Sequence, residues 1–151
     1  MAISSGVYDN AYVTLLKGEW KWVTGDPGPF CMLLTSGYTV DKAANDYRND
    51  LVTASNEVSG TGYSAGGAQV TAVAPALAAL VITCDCSDIS WTTATFTANK
   101  AVFYFNTAGA DSADPLICYV KFGGDVSVSG GTFTITIAAG GLFTITNGAE
   151  V

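Results

Sequence analysis

The second half of the chain alternates apolar and polar residues at a period of two, the spacing of a β-strand with one buried face. In residues 132–137, Phe133, Ile135 and Ile137 fall on one side and three threonines on the other. A glycine pair then interrupts the pattern and residues 142–146 resume it, which predicts an antiparallel hairpin. Similar alternation predicts further strands over residues 89–97, 101–105 and 116–122, with breaks at residues 98–100, 107–115 and 123–125.

The first half of the chain is less regular. Residues 16–22 alternate charged with apolar side chains and predict a strand. Between residues 40 and 51, apolar side chains recur at helical intervals, with Thr39 or Asp41 available as a cap, which predicts one short helix. Residues 52–67 are rich in Ser, Thr, Asn and Gly and predict a loop or an extended edge segment before a strand that begins at Ala68.

Short strands, frequent turn signals and one helix predict a mostly β fold, either an antiparallel sandwich or a partly open barrel. The length of 151 residues fits a single domain. We expect residues 1–25 to form an N-terminal strand or arm and residues 26–151 to form the main body. Hydrophobic residues make up 49% of the chain and charged residues 13%, which indicates a folded and not a disordered protein.

The charge balance restricts the partners of this protein. Six basic and thirteen acidic residues give a net charge of -7, which disfavours nucleic acid and anionic membranes. The longest apolar run, residues 72–82, contains Pro75 and is shorter than the roughly 20 residues that cross a bilayer. The first residues lack a charged start followed by an apolar stretch, so we expect no secretory signal and synthesis in a cytoplasm.

The sequence contains no histidine, the commonest general base and zinc ligand. Residues 62–66 match the G-x-S-x-G pattern of a hydrolase nucleophile, and residues 60–65 match the dinucleotide pattern G-x-G-x-x-A. Neither match is followed by the helix that its chemistry requires. We therefore expect Ser64 to be a loop residue, and the protein to be no enzyme and to bind no cofactor or metal.

Acidic residues also occur in closely spaced pairs, such as Asp111 with Asp114. A glycosidase or a calcium site uses such pairs, but solvated turn residues account for them more simply. Arg48 lies between Asp46 and Asp50, which predicts a local ion-pair cluster, with an interface contact as the alternative.

Cysteine and tryptophan offer further candidate chemistry. We expect four reduced thiols in the core, with a disulfide between copies after release from the cell as the alternative, at Cys31, Cys84, Cys86 and Cys118. Trp20, Trp22 and Trp91 are expected in the core as well, with a sugar-stacking platform as the alternative.

Several segments resemble one protein family. They are residues 32–41 (MLLTSGYTVD), 46–50 (DYRND), 56–67 (NEVSGTGYSAGG), the aromatic strand pair within 91–105, residues 115–123 (PLICYVKFG) and the ending 131–136 (GTFTIT). Together they cover most of residues 30–146, and they resemble small β-rich virion structural proteins of tailed bacteriophages.

The resemblance implies a virion component that is assembled in the bacterial cytoplasm. The first expectation is a capsid decoration protein that binds the major capsid protein or neighbouring virion subunits and forms a homo-oligomer. The alternative is a neck or tail protein, or a carbohydrate-binding adhesive module. In the densest part of the resemblance, we expect six residues to contact neighbouring subunits: Asp46, Tyr47, Arg48, Asp50, Glu57 and Tyr63.

Overall fold

Two antiparallel β-sheets make up most of the protein. The computed structural model describes residues 2–25, 27–51 and 56–146. The strands in chain order are β1 (Ser4–Val7), β2 (Gly28–Leu34), β3 (Ala68–Gln69), β4 (Ala74–Ala78), β5 (Val81–Asp85), β6 (Ile89–Asn106), β7 (Leu116–Ile135) and β8 (Phe143–Thr146). The prediction of a mostly β, antiparallel fold is confirmed, and the described sheets do not close into a barrel.

The five-stranded sheet has the order β1-β7-β6-β2-β3, and the three-stranded sheet has the order β4-β5-β8. One cluster of buried side chains includes residues from both sheets, among them Leu33 of β2, Phe103 of β6, Ile117 of β7 and Phe143 of β8. Successive side chains of a strand point to opposite sides, yet residues 31–34 of β2 and 101–105 of β6 are all buried, so both faces of the five-stranded sheet are covered there.

The pairing of β6 with β7 forms the longest hairpin of the molecule, from Ile89 opposite Ile135 to Tyr104 opposite Leu116. The predicted breaks at residues 98–100 and 123–125 are wrong, because both strands continue through them. These positions instead form a bulge, in which more residues of β7 than of β6 lie between successive paired positions. The turn signals in the sequence mark this bulge, and the pairing of β6 with β7 resumes beyond it.

The predicted hairpin of residues 132–137 with residues 142–146 is also wrong. The first segment belongs largely to β7 and pairs with β6, whereas β8 pairs with β5 in the other sheet. A turn does lie between them, where the Gly141 amide donates to the Ala138 carbonyl at 2.8 Å. The predicted alternation is confirmed, because Phe133 and Ile135 are buried between exposed threonines.

No α-helix forms over residues 40–51, contrary to the prediction. The Asp41 carboxylate accepts hydrogen bonds from the Ala43 and Ala44 amides and closes a single turn. The chain then extends, so that Tyr47 pairs with Pro115, and only a 3-10 helix (Arg48–Asp50) follows. Pairing with a distant segment therefore overrides the helical spacing.

The α-helix of the described residues is α1 (Ala11–Leu16), which the sequence patterns did not indicate. Residues 17–22 do not form the predicted strand, because the Trp20 indole nitrogen turns back and donates to the Ala11 carbonyl at 2.8 Å. Trp20 and Trp22 are buried, so their alternation with exposed residues reflects core packing without strand pairing.

Residues 56–67 form the predicted loop, which lies against the five-stranded sheet; residues 52–55 of the predicted loop lie outside the described residues. Isolated bridges join Glu57 to Leu34 and Thr61 to Thr95. The loop ends at Gly67, whose φ of +82° favours glycine and whose Cα lies close to the Cys31 carbonyl. A glycine is therefore required where the loop enters β3.

We predict that Gly67→Ala lowers the free energy of unfolding by more than about 2 kcal/mol, because the added Cβ would overlap the Cys31 carbonyl oxygen. The matched control is Gly124→Ala, whose Cβ would meet nothing within 4 Å and which should change that free energy by less than about 0.5 kcal/mol. Urea unfolding of both variants tests this prediction. Equal stability of the two variants would contradict it.

Candidate functional site

Arg48 lies in an ion-pair cluster, but with partners other than those expected. Its Nη1 donates to Asp111 Oδ1 at 2.9 Å and lies 3.6 Å from Asp114 Oδ2. Its guanidinium carbon is 5.0 Å from the centroid of the Tyr104 ring. The predicted local cluster with Asp46 and Asp50 is therefore wrong, because the partner carboxylates come from the loop between β6 and β7.

Asp114 joins this loop to the segment that carries Arg48. Its side chain is 1% exposed, against 17% for Arg48, so the expectation of a solvated turn residue is wrong for Asp114. Asp114 Oδ1 accepts from the amide and the hydroxyl of Thr107, each at 2.8 Å, and its carbonyl accepts from the Arg48 amide. A buried carboxylate with these partners holds the two segments in one arrangement.

Asp50 and Tyr47 also bind within the chain. Asp50 Oδ2 accepts from the amides of Asp46 and Tyr47, at 2.8 Å and 3.0 Å. The Tyr47 hydroxyl donates to Glu19 Oε2 at 2.9 Å, and this hydrogen bond raises the pKa of Tyr47. Asp50 thus fixes the start of the 3-10 helix, and Tyr47 ties it to the chain after α1.

Glu57 and Tyr63 form a second polar group in the loop that precedes β3. The Tyr63 hydroxyl donates to Glu57 Oε1 at 2.8 Å and accepts from the Leu33 amide at 3.1 Å. Glu57 Oε1 also accepts from the Gly66 amide at 2.6 Å. Burial and the nearby Glu57 carboxylate raise the pKa of Tyr63 well above its usual value, so its hydroxyl stays protonated as a donor.

The two groups meet at Tyr104, whose ring lies beside Arg48 and whose hydroxyl donates to the Gly66 carbonyl at 2.9 Å. Each of the six residues predicted as an interface thus makes a hydrogen bond or an ion pair within the chain, Asp46 through its backbone amide. These contacts fasten loops to the five-stranded sheet. Contact of the six residues with neighbouring subunits stays a prediction.

A different part of the chain presents an exposed apolar surface. Residues 72–82, called here the apolar arm, comprise all of β4, the turn after it and the first two residues of β5. Leu77 is 73% exposed and Leu80 is 56% exposed, and no charged residue lies between residues 71 and 84. The longest apolar run of the sequence therefore lies on the surface. Hydrophobic packing would be expected to bury such a run in the core.

The turn of the arm is strained. Ala79 and Leu80 form a two-residue connection between β4 and β5, with φ angles of +47° and +67°. Such hairpin turns favour Asn and Gly, because left-handed backbone costs other residues on the order of 1 kcal/mol each. An exposed leucine in this conformation contributes nothing to the core, which points to a role outside the monomer.

A concave surface is formed by residues between 120 and 136, most of them in β7, together with Ile3. This apolar groove has a volume of about 550 Å³ and is lined by apolar side chains and by hydroxyl groups, with no charged residue in its lining. Its apolar lining includes Ile3, Phe122, Val126, Val128, Phe133 and Ile135. Val126 is 41% exposed, so part of this lining is open to solvent.

The cysteines, the tryptophans and Ser64 lie where the sequence predicted. All four thiols are buried, and burial raises the pKa of Cys84 and of Cys86 to about 11. The described residues contain no group of three or more Cys, Asp or Glu placed to hold a metal ion. Trp20, Trp22 and Trp91 are buried, so they form no sugar-stacking platform, and Ser64 lies in an exposed loop.

Comparison of the chain with protein-family models, with curated proteins and with solved structures finds no match. No helix in the described part of the chain has the length and apolar character needed to traverse a bilayer. We therefore infer the function from the chain's own residues, together with the resemblance given above.

The sequence reasoning missed the apolar arm. The length of residues 72–82 excludes a membrane span, and the pattern was given no other role. Their lack of charge and the helix-breaking Pro75 were visible signals of a short exposed hairpin. The reasoning also missed Asp111 and Asp114 as partners of Arg48, because no local spacing relates residues so far apart in sequence.

We predict that Arg48→Ala lowers the free energy of unfolding by about 2–4 kcal/mol, because it leaves buried Asp114 without a cationic partner. The matched control is Lys42→Ala, which removes an ion pair with Asp9 whose ends are both exposed and should change stability little. Urea unfolding monitored by tryptophan fluorescence provides the measurement. A loss at Arg48 no larger than that at Lys42 would rule out a structural role for the cluster.

We also predict that the native protein reacts slowly with thiol reagents at pH 8. Burial raises the pKa of Cys84 and Cys86 from 9.0 to about 11, so folding lowers the reactive thiolate fraction at that pH by about 100-fold. Folding therefore opposes deprotonation of these thiols. Their contribution to the free energy of unfolding is fully present below pH 9 and declines as the pH rises towards 11. Labelling in urea serves as the reference, and native labelling at the same rate refutes the prediction.

Proposed function

We propose that this protein is a non-enzymatic structural component of a tailed-bacteriophage virion, a decoration protein that docks onto the head shell. The observation that carries the docking role is the exposed apolar arm. The assignment to a phage particle is supported by the resemblance of residues 30–146 to virion structural proteins. A docking protein needs a surface and no reacting group.

Hydrophobic burial supplies the energy for such docking. Leu77 and Leu80 lie mostly in water in the isolated chain. Complete burial of a leucine side chain contributes about 2 kcal/mol, and adjoining residues of the arm add to that. The arm carries no charge, so an interface formed through it involves no desolvation of a charged side chain of the arm. The apolar surface that the isolated chain leaves exposed thus favours docking through the arm.

The two polar groups within the chain support a structural role. The Arg48 cluster and the Glu57–Tyr63 group fasten loops within the chain, and both consist of residues bonded to one another. Ser64 lies in a loop of a chain that has no histidine to activate it. The burial of the three tryptophans disfavours the adhesive alternative, which needs aromatic faces on the surface.

The test uses the phage whose genome encodes this chain. Particles are purified on a density gradient and the ratio of this chain to the major capsid protein is measured by quantitative mass spectrometry. We expect a ratio of this chain to the major capsid protein that corresponds to a subunit distributed over the whole shell. A few copies per particle would contradict head decoration and assign the chain to the neck or tail, and absence from particles would contradict the virion role.

Two variants in the same phage test the docking role of the arm. Leu77→Glu places a charge in the arm and should reduce the amount of this chain on purified particles by at least tenfold. Leu16→Glu changes another leucine, which is 88% exposed at the end of α1, and should leave occupancy unchanged. Equal occupancy of the two variants would show that the arm does not mediate docking.

A further inference from the structure

We propose that residues 20–25, called here the strap, hold the apolar arm in one orientation on the molecule, with Trp22 and Thr24 as the positioning residues. This inference rests on the proposed docking function of the arm. The strap has no regular secondary structure and lies between α1 and β2. Its contacts reach the base of both strands of the arm, so it connects the arm to the rest of the chain.

Both ends of the strap are tied to parts of the molecule outside the three-stranded sheet. At one end, the indole nitrogen of buried Trp20 donates to the Ala11 carbonyl at 2.8 Å and to the Thr14 hydroxyl at 3.0 Å, both in α1. At the other end, the Gly25 carbonyl accepts from the side-chain amide of Gln69 in β3. The strap is therefore anchored on α1 and on the five-stranded sheet.

Trp22 connects the strap to the base of β5. Its indole nitrogen donates to the carbonyl of Asp85, the last residue of β5, at 3.0 Å. Its ring meets the ring of Phe143 in β8 edge-on, with centroids 5.4 Å apart. Trp22 is buried although the strap pairs with no strand. A buried indole N–H needs an acceptor, and the end of β5 supplies it in the observed orientation.

Thr24 connects the strap to the base of β4. The amide of Val73, the residue before β4, donates to the Thr24 hydroxyl oxygen at 3.0 Å. β4 is an edge strand and is exposed at all five residues, so packing of its side chains does little to fix it. Trp22 and Thr24 thus hold one strand each and restrain the arm on both sides of its base.

The orientation of the arm matters because its apolar tip lies far from this base. The turn is about 17 Å from Val73 along β4, at a rise of roughly 3.3 Å per residue. A rotation of about 10° at the base would therefore displace Leu80 by about 3 Å. An arm that samples several orientations must be ordered when it docks, and this ordering weakens binding.

Amide hydrogen exchange of the whole chain, free in solution, tests the strap without any partner. Thr24→Val keeps the shape of the side chain but removes the acceptor of the Val73 amide. We expect the amides of Val73 and of β5 to exchange at least about threefold faster, with the exchange of β2 unchanged. Thr24→Ser retains the hydroxyl and should exchange like the unchanged chain.

Trp22→Phe tests the second contact, with Trp91→Phe as its matched control. Both substitutions shrink a buried tryptophan, but Trp91 lies in β6 and packs on Tyr63 and Phe133, away from the three-stranded sheet. Amides of β2 report the global loss of stability in each variant. Relative to β2, exchange in β5 should rise at least about threefold in Trp22→Phe and stay unchanged in Trp91→Phe.

The amount of this chain on purified particles measures the consequence for docking. We expect Trp22→Phe and Thr24→Val each to reduce that amount by at least about threefold, because their arms are no longer held in one orientation. Trp91→Phe and Thr24→Ser should leave it unchanged. A role of Trp22 in folding alone predicts equal amounts for Trp22→Phe and Trp91→Phe.

Three results would overturn the proposal: unchanged exchange in β5 of both strap variants, an equal relative rise in Trp91→Phe, or full occupancy of strap variants whose arms exchange faster. The proposed function fails in a different way. An unsubstituted chain that is missing from particles, or a Leu77→Glu chain at full occupancy, would refute docking through the arm. The exchange measurements in solution would still decide whether the strap holds the arm.

Discussion

The antiparallel pairing of β6 with β7 is the interaction on which the rest of the structure depends. These strands form the centre of the five-stranded sheet, with β1 on one side and β2 on the other. Residues of β7 on both sides of the bulge, such as Val120 and Phe133, line the apolar groove. At the opposite end, their connecting loop supplies the carboxylates that bind Arg48. One hairpin thus fixes both the position of the groove and the anchoring of the polar loops.

In this chain, several polar side chains form contacts inside the molecule, and the longest apolar run lies on its surface. The polar residues of the Arg48 cluster and the Glu57–Tyr63 group act inside the molecule, where a buried group without a partner would cost about 1–3 kcal/mol. The least polar run of the chain lies outside, on the arm. Exposed apolar side chains cost free energy in water, and docking of the arm, as proposed, would recover that free energy. It is the physical reason for regarding the protein as a docking surface.

Local pattern predicted the class of fold and the buried faces of strands, because burial on one side of a strand imposes a period of two. Phe133 and Ile135 are examples. The same pattern could not predict which strands pair, since β8 joins β5 and not the neighbouring β7. It predicted a helix over residues 40–51, where the bridge between Tyr47 and Pro115 instead keeps the chain extended. The partners of Arg48 and the exposure of the arm likewise depend on tertiary contacts that no local spacing encodes.

The most direct test of the docking account is amide hydrogen exchange of the chain free in solution and of the same chain bound to purified particles. The account predicts that the β4 amides, at the edge of the three-stranded sheet, exchange rapidly in the free chain and slowly in the bound one. Amides of the Arg48 cluster should exchange equally in both. Unchanged exchange in β4 together with protection elsewhere would contradict the account.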